Sequence, residues 1–310
     1  MPSEFELIRR YFARPARSAA LGVGDDAALL RIALGMELAV STDLLIEGRH
    51  FRAQADARKL GHKALAVNLS DMAAMGATPR WATLALALPA ADEAWLAAFS
   101  EGFYALAARF GVDLVGGDTT RGPLSIGVTI LGEVPAGRAL KRSGAMPGDD
   151  VWVSGELGGA ALGLAHPKIG AAAKRLDEPE PRVRLGERLL GVASSAIDVS
   201  DGFAQDLGHI LEASGVGALV EMDLLPCPAE VRKIREKKTH HRLILSGGDD
   251  YELVFTAKKR SREAIGALAQ ELALALTRVG TIEKGNPILT VVDRNRKPVR
   301  VERGFDHFAQ

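Results

Sequence analysis

The chain has 310 residues, 39 Lys and Arg against 39 Asp and Glu, 47% hydrophobic and 25% charged residues, and 33 glycines. This is a globular profile that excludes a disordered or fibrous chain, and the length exceeds what one core usually supports, so two domains are expected. Zero net charge argues against a nucleic-acid binder, and the lone Cys227 excludes an intramolecular disulfide or an all-cysteine metal site.

Strands and helices alternate along the chain. Glu37 to Ser41 reads as a strand, Arg58 to Met75 as a helix, Trp81 to Leu88 as a strand, and Asp92 to Phe110 as a helix that stops at Gly111. Val112 to Val115 and Leu124 to Gly132 read as strands. This rhythm predicts an α/β fold with both sheet faces covered. Turn chemistry at Val134-Pro135-Ala136-Gly137 places a domain boundary at about residue 137, dividing the chain into 1–137 and 138–310. Beyond it come strands at Val151 to Ser154, Ala196 to Val199, Gly217 to Met222, Tyr251 to Thr256, Leu289 to Val292 and Val299 to Glu302. Helices are predicted at Leu157 to Leu164, Arg182 to Val192, Gly202 to Ala213 and Ser261 to Leu272. Gly170 to Pro181 mixes Ala, Lys, Glu and Pro and reads as a mobile surface loop. Uncharged stretches such as Trp81 to Ala91 fall short of the roughly 18 residues that a membrane span needs. The N-terminus lacks the apolar run of a signal peptide, so a cytoplasmic protein with no membrane partner is expected.

One kind of segment recurs: aspartate beside glycine or a hydroxyl residue at the end of an apolar run. It appears as Gly24-Asp25-Asp26, Ser41-Thr42-Asp43, Gly116-Gly117-Asp118-Thr119-Thr120, Asp198-Val199-Ser200-Asp201-Gly202 and Gly247-Gly248-Asp249-Asp250-Tyr251-Glu252. In α/β folds ligands collect at strand ends, gathered carboxylates call for cations, and glycine lets a backbone approach phosphate. Taken singly, each segment reads first as ordinary turn or cap chemistry, and it is the recurrence of five at strand ends that points to a site. Asp71 lies with Asn68 on one stripe of an apolar helix. That stripe either faces solvent or needs polar partners or a metal. Arg121, Lys141 and Arg142 are cations near these segments that could hold a phosphate, and His50 follows Asp43 closely. The basic run Val231 to Arg242 lacks interleaved aromatics and reads as a solvated helix face. No Walker A loop, complete dinucleotide fingerprint, protein-kinase signature or His-Glu-x-x-His motif is present.

In order along the whole chain, several segments together resemble the bacterial thiamine-monophosphate kinase family: Gly22 to Ala28, Ser41-Thr42-Asp43, Lys63 to Gly76, Gly116 to Gly122, Ile197 to Gly202, Ser246 to Leu253 and Gly304-Phe305-Asp306-His307-Phe308. The resemblance implies a two-domain α/β (α+β) fold like aminoimidazole-ribonucleotide synthetase. It implies a homodimer whose N-terminal sheets form a barrel, and transfer of the ATP γ-phosphoryl group to thiamine monophosphate. By the family pattern, several Mg²⁺ ions would be held by Asp26, Thr42, Asp43, Asp71, Asp118, Asp198 and Asp201, with Ser41 assisting. ATP would be contacted by Gly117, Asp118, Arg142 and Ser200, and thiamine monophosphate by His50, Asp249 and Phe305. Residues 1–137 would then be the ATP/Mg-binding and dimerisation domain, and 138–310 would complete the nucleotide and substrate contacts. Two departures are visible: many relatives carry Glu where Asp249 stands, and Tyr or Trp where Phe305 stands. Alternatives are another ATP-dependent enzyme of the same fold, such as selenophosphate synthetase or a hydrogenase-maturation enzyme, or a non-catalytic cation-binding scaffold.

Overall fold

The computed structural model describes residues 3–302 and 304. Their described parts form two compact units, Met1–Met72 with Ala77–Gly137, and Ala73–Gly76 with Arg138–Gln310. No helix of the described residues is long and apolar enough to cross a membrane.

The first unit contains α1 (Glu4–Leu7), β1 (Met36–Ile46), α2 (Ala57–Met75), β2 (Thr78–Leu88), α3 (Glu93–Phe110), β3 (Asp113–Arg121) and β4 (Ser125–Pro135). Its four strands lie in the order β1-β4-β2-β3. Only β2 and β3 run parallel, because α3 supplies the crossover that a parallel pair requires. The ends of α3 follow from its sequence. The Asp92 side chain accepts from the Ala94 and Trp95 amides, both at 3.0 Å, and Gly111 closes the helix with φ 66°. Leu96, Phe99 and Phe103 of α3 are fully buried, as are Ile126 and Ile130 of β4.

The expectation that both sheet faces are covered fails in this unit. Leu38, Val40, Leu44 and Ile46 alternate along β1 and are exposed by 38%, 57%, 54% and 39%. One face of the sheet is therefore apolar and open, with the small residues Gly127 and Ala85 continuing it across the neighbouring strands.

The second unit contains β5 (Asp150–Ser154), α4 (Gly159–Ala165), α5 (Gly170–Asp177), α6 (Val183–Leu189), β6 (Ala193–Asp198), α7 (Phe203–Ser214), β7 (Gly217–Glu221), α8 (Ala229–Arg232), α9 (Lys237–Ser246), β8 (Leu253–Ala257), α10 (Arg262–Glu271), β9 (Leu276–Glu283) and β10 (Leu289–Val292). The strand order is β10-β7-β9-β5-β8-β6. Every residue of β5 and β8 is buried, as expected for interior strands covered on both faces.

Two expectations are corrected here, and one strand is added. Gly170 to Asp177 is a helix, not a loop: its alanines and the Lys174-Arg175-Leu176 run are strong helix formers, and Ala172 is buried. Strand β9 went unpredicted because Gly280 and interleaved polar residues mask its pattern, although it pairs with both β5 and β7. Val299 to Glu302 is not a strand. The Val299 amide bonds Val291, but Pro298 beside it has no N–H to extend a ladder.

Candidate active site

In the first unit the site is built on β1 and α2. Side chains alternate along a strand, so Ser41 and Asp43 share one face of β1 and Thr42 takes the other. Asn68 and Asp71, three residues apart on α2, meet the Ser41/Asp43 face. Ser41 Oγ donates to Asp71 Oδ2 at 2.6 Å, and the Asp43 amide donates to Asn68 Oδ1 at 3.2 Å. Asn68 Nδ2 is tied back to the Ala64 carbonyl at 2.9 Å, and Asn68 is 1% exposed. The Asn68/Asp71 stripe therefore faces β1 and not solvent. Burial, reinforced by the negative charge of Asp71, pushes the Asp43 carboxyl up to about 7.

Other expected residues of this unit are placed differently. The Thr42 hydroxyl pairs with that of Thr129 at 2.8 Å on the open face. His50 lies in the turn after β1, where its Nδ1 accepts from the Ile46 amide at 3.0 Å. Asp26 is exposed, with its amide held by Asp25 Oδ1 at 2.9 Å. Asp118 sits on the edge strand β3, in one cross-strand row with Ala85, Gly127 and Leu44. Three strand spacings of about 4.8 Å separate that position from β1, and the row belongs to the open face. The fold thus joins Ser41, Asp43 and Asp71 and leaves Asp118 at the far edge of the same sheet. Gly117 beside it has φ 148°, and a Cβ there would fall 1.9 Å from the Leu84 carbonyl oxygen, so only glycine fits.

In the second unit two segments lie side by side. Strand β6 ends at Asp198, and Val199-Ser200-Asp201-Gly202 leads into α7. The Val199 amide donates to the Glu252 carbonyl at 2.8 Å, the Tyr251 amide to the Val199 carbonyl at 2.9 Å, and the Asp249 amide to the Ser200 carbonyl at 2.9 Å. These three bonds bring Asp249 beside Ser200 and Asp201. Asp249 and Tyr251 both have positive φ, 65° and 50°, and the Tyr251 hydroxyl donates to Asp249 Oδ1 at 3.0 Å. Such strained residues persist where the surroundings fix them, often at functional sites.

The remaining acids of this segment have structural duties. Asp250 accepts from the Gly158 and Ala160 amides at 2.6 and 3.2 Å, at the start of α4. Burial pushes its carboxyl up to about 7 against the pull of those amides. Glu252 is buried and gripped by Arg182 through two bonds of 2.6 and 2.5 Å, and Ser154 Oγ donates to it at 2.6 Å. Asp206, one turn into α7, accepts from the Ser200, Asp201 and Gly202 amides at 3.1, 3.1 and 3.0 Å. Burial raises its carboxyl to about 8, with the charges of Asp198 and Asp201 adding to the effect.

Arg142 is exposed, and its carbonyl accepts from Ser214 Oγ at 3.2 Å. Ser214 ends α7, so about 16 Å of helix separates Arg142's anchor from the Asp201 turn. Gly304 packs on that turn: a Cβ there would come 2.5 Å from the Asp201 carbonyl oxygen. Phe305 lies outside the described residues.

Among the described residues no three His, Cys, Asp or Glu side chains form a metal centre by themselves. Each unit instead offers two carboxylates in one neighbourhood: Asp71 acts on Asp43 in the first, and Asp198 and Asp201 both act on the buried Asp206 in the second. This donor set fits Mg²⁺, which commonly takes one or two protein carboxylates and completes its shell with water and phosphate oxygens.

Residues 24–134 match the N-terminal domain of AIR synthase related proteins, and residues 146–292 match the C-terminal domain. Two α/β units of that class carry the acidic turns described above. A thiamine-monophosphate kinase from Salmonella typhimurium is 46% identical over 321 residues, covering 99% of this chain and 98% of the relative. The crystal structure of the thiamine-monophosphate kinase from Stenotrophomonas maltophilia K279a is 46% identical, with a TM-score of 0.84 over 92% of this chain and 94% of that one. AaThiL complexed with AMPPCP and TMP is 30% identical, with a TM-score of 0.79 and 92% of each chain covered. The chain belongs to the thiamine-monophosphate kinase family.

Proposed function

We propose that this protein transfers the γ-phosphoryl group of ATP to thiamine monophosphate, yielding thiamine diphosphate and ADP. The observation that carries the reading is the Ser41–Asp43–Asp71 cluster, in which burial, reinforced by the charge of Asp71, raises the Asp43 carboxyl to about 7, on a chain of this family. The acceptor is a phosphate monoester with a second pKa of about 6, largely dianionic at pH 7, so its oxygen is a nucleophile without help from a base. The barrier is repulsion between that dianion and the polyphosphate of ATP. Bound Mg²⁺ supplies the charge that offsets it and aligns an in-line displacement.

The residues of the chain hold and orient. Asp43, Asp71, Asp198 and Asp201 are assigned to Mg²⁺ with Ser41, and Asp26, Asp118 and Thr42 by family pattern. Gly117, Asp118, Ser200 and Arg142 are assigned to ATP. His50, Asp249 and Phe305 are assigned to the thiamine phosphate. The open apolar face of β1 supports a homodimer formed through the first unit, and use of ATP fits a cytoplasmic location. Selenophosphate chemistry is disfavoured by Cys227, which is buried and whose thiol burial pushes above its ordinary pKa.

The test is incubation with ATP, Mg²⁺ and thiamine monophosphate, with detection of thiamine diphosphate, and with selenide and aminoimidazole precursors as controls. Asp43→Asn and Asp118→Asn are expected to abolish most turnover while the protein stays folded. Near-wild-type turnover of either variant at saturating Mg²⁺ would overturn the assignment of these aspartates as metal ligands.

A further inference from the structure

We infer that Asp206 is a positioning residue that sets the shape of the Asp198–Asp201 turn by collecting three consecutive backbone N–H groups on one carboxylate oxygen. The inference rests on the assignment of that turn to the Mg²⁺–nucleotide site.

A helix start is ordinarily satisfied from outside, by a Ser, Thr, Asp or Asn at the cap that accepts from amides inside the helix. Helix α7 reverses this. Its cap is Gly202, which has no side chain, and Asp206 within the helix reaches back to the amides preceding it. Oδ2 alone receives all three, from Ser200, Asp201 and Gly202 at 3.1, 3.1 and 3.0 Å. Consecutive amides pointing at one spot form a concavity that binds anions. Here the chain supplies the acceptor oxygen itself.

The arrangement is costly on its own terms. Asp206 is 2% exposed, and both Asp198 and Asp201 repel a charge placed on it. A carboxylate in such surroundings adds little to stability by itself. Its effect is geometric: three adjacent peptide groups are fixed relative to α7. The same turn is held from its other side by the bonds of Val199 and Ser200 to Glu252, Tyr251 and Asp249. With both sides fixed, the directions of Asp198 and Asp201 are set before any ligand arrives. Because one oxygen takes all three bonds, Asn at 206 can reproduce them with its amide oxygen, whereas Ala cannot.

The experiment compares full-length wild type with Asp206→Ala, Asp206→Asn, Asp206→Glu and Asp201→Asn. It reads the half-saturating Mg²⁺ concentration, KM for ATP, kcat and melting temperature. Asp206→Ala is expected to raise half-saturating Mg²⁺ and KM for ATP by about tenfold or more, the range seen when residues that orient metal ligands are removed. Asp206→Asn should stay below that tenfold shift, because its amide oxygen can accept the same three bonds. Unchanged Mg²⁺ dependence in a folded Asp206→Ala, with only the melting temperature lowered, overturns the positioning role, as does Asp206→Asn behaving like Asp206→Ala. Should Asp206→Ala not fold, Asp206→Glu decides: its longer reach displaces the turn, and a Mg²⁺ dependence equal to wild type overturns the inference. Asp201→Asn separates the underlying reading. If it leaves half-saturating Mg²⁺ unchanged, the turn does not hold metal, whatever the Asp206 variants do.

Discussion

Asp43→Asn should stabilise the metal-free protein while abolishing its activity. In the absence of metal the native fold keeps the Asp43 carboxyl beside Asp71, with a pKa of about 7 against an ordinary 3.8. Roughly three pKa units correspond to about 4 kcal/mol, and partial solvent exposure reduces this to about 2 kcal/mol. Between about pH 4 and 7 native Asp43 holds a proton that the unfolded chain has already released. Wild-type stability therefore falls as pH rises through that window and levels off above it. Asparagine releases no proton, so the advantage of the variant should grow from pH 5 to pH 7, by at most about 1.4 kcal/mol per pH unit, and then stay constant. At pH 8 the gain corresponds to a rise of about 5 °C in melting temperature for a unit of this size. The assay is thermal denaturation in EDTA at pH 5, 6, 7 and 8. A gain independent of pH, or a variant less stable than wild type at pH 8, would refute the reasoning.

Arg182→Ala should cost about 3–5 kcal/mol in urea denaturation, because it strands the buried Glu252 carboxylate, and a loss below about 1 kcal/mol would show that the pair is not a buried lock. Gly117→Ala should prevent soluble folding or destabilise by about 3 kcal/mol or more, since its Cβ meets the Leu84 carbonyl at 1.9 Å. Gly116→Ala, whose Cβ would meet nothing closer than Thr83 at 3.8 Å, should melt close to wild type, and equal damage from both would count against the packing argument. Leu44→Asp on the open face should convert the expected dimer to monomer in analytical ultracentrifugation; an unchanged sedimentation coefficient would place the interface elsewhere.

Much of this was legible in the sequence for reasons that can be named. Helix α3 announces both its ends, Asp92 by its side-chain acceptor and Gly111 by its left-handed backbone. The acidic turns are visible because Asp next to Gly or Ser at a strand end is a compact pattern. What a one-dimensional pattern does not carry is the assignment of duties within a turn. Asp249 and Asp250 are adjacent and chemically identical, yet the backbone turns one toward Tyr251 and the other into the amides of α4. The Asn68/Asp71 stripe was ambiguous because its direction depends on where β1 packs, a contact across about 30 residues of chain. Asp206 carries no signal in the sequence, since an aspartate in the first turn of a helix is commonplace. Only its reach back to three amides sets it apart. Asp118 belongs with the other aspartates by motif, but the strand order puts it at the opposite edge of the sheet.

The strict alternation along β1 has a consequence for how this protein can change. Odd positions Ser41 and Asp43 meet α2, and even positions Leu38, Val40, Leu44 and Ile46 form the open apolar face. Inserting or deleting one residue near the middle of Met36–Ile46, unless a β-bulge absorbs it, would turn every residue on one side of the change to the opposite face, sending the carboxylate to the greasy side or leucine to the polar one. Both faces would fail together, and no single substitution could repair them. Length changes in this family should therefore be confined to the turns flanking β1, while point changes inside it stay tolerable wherever they respect odd and even.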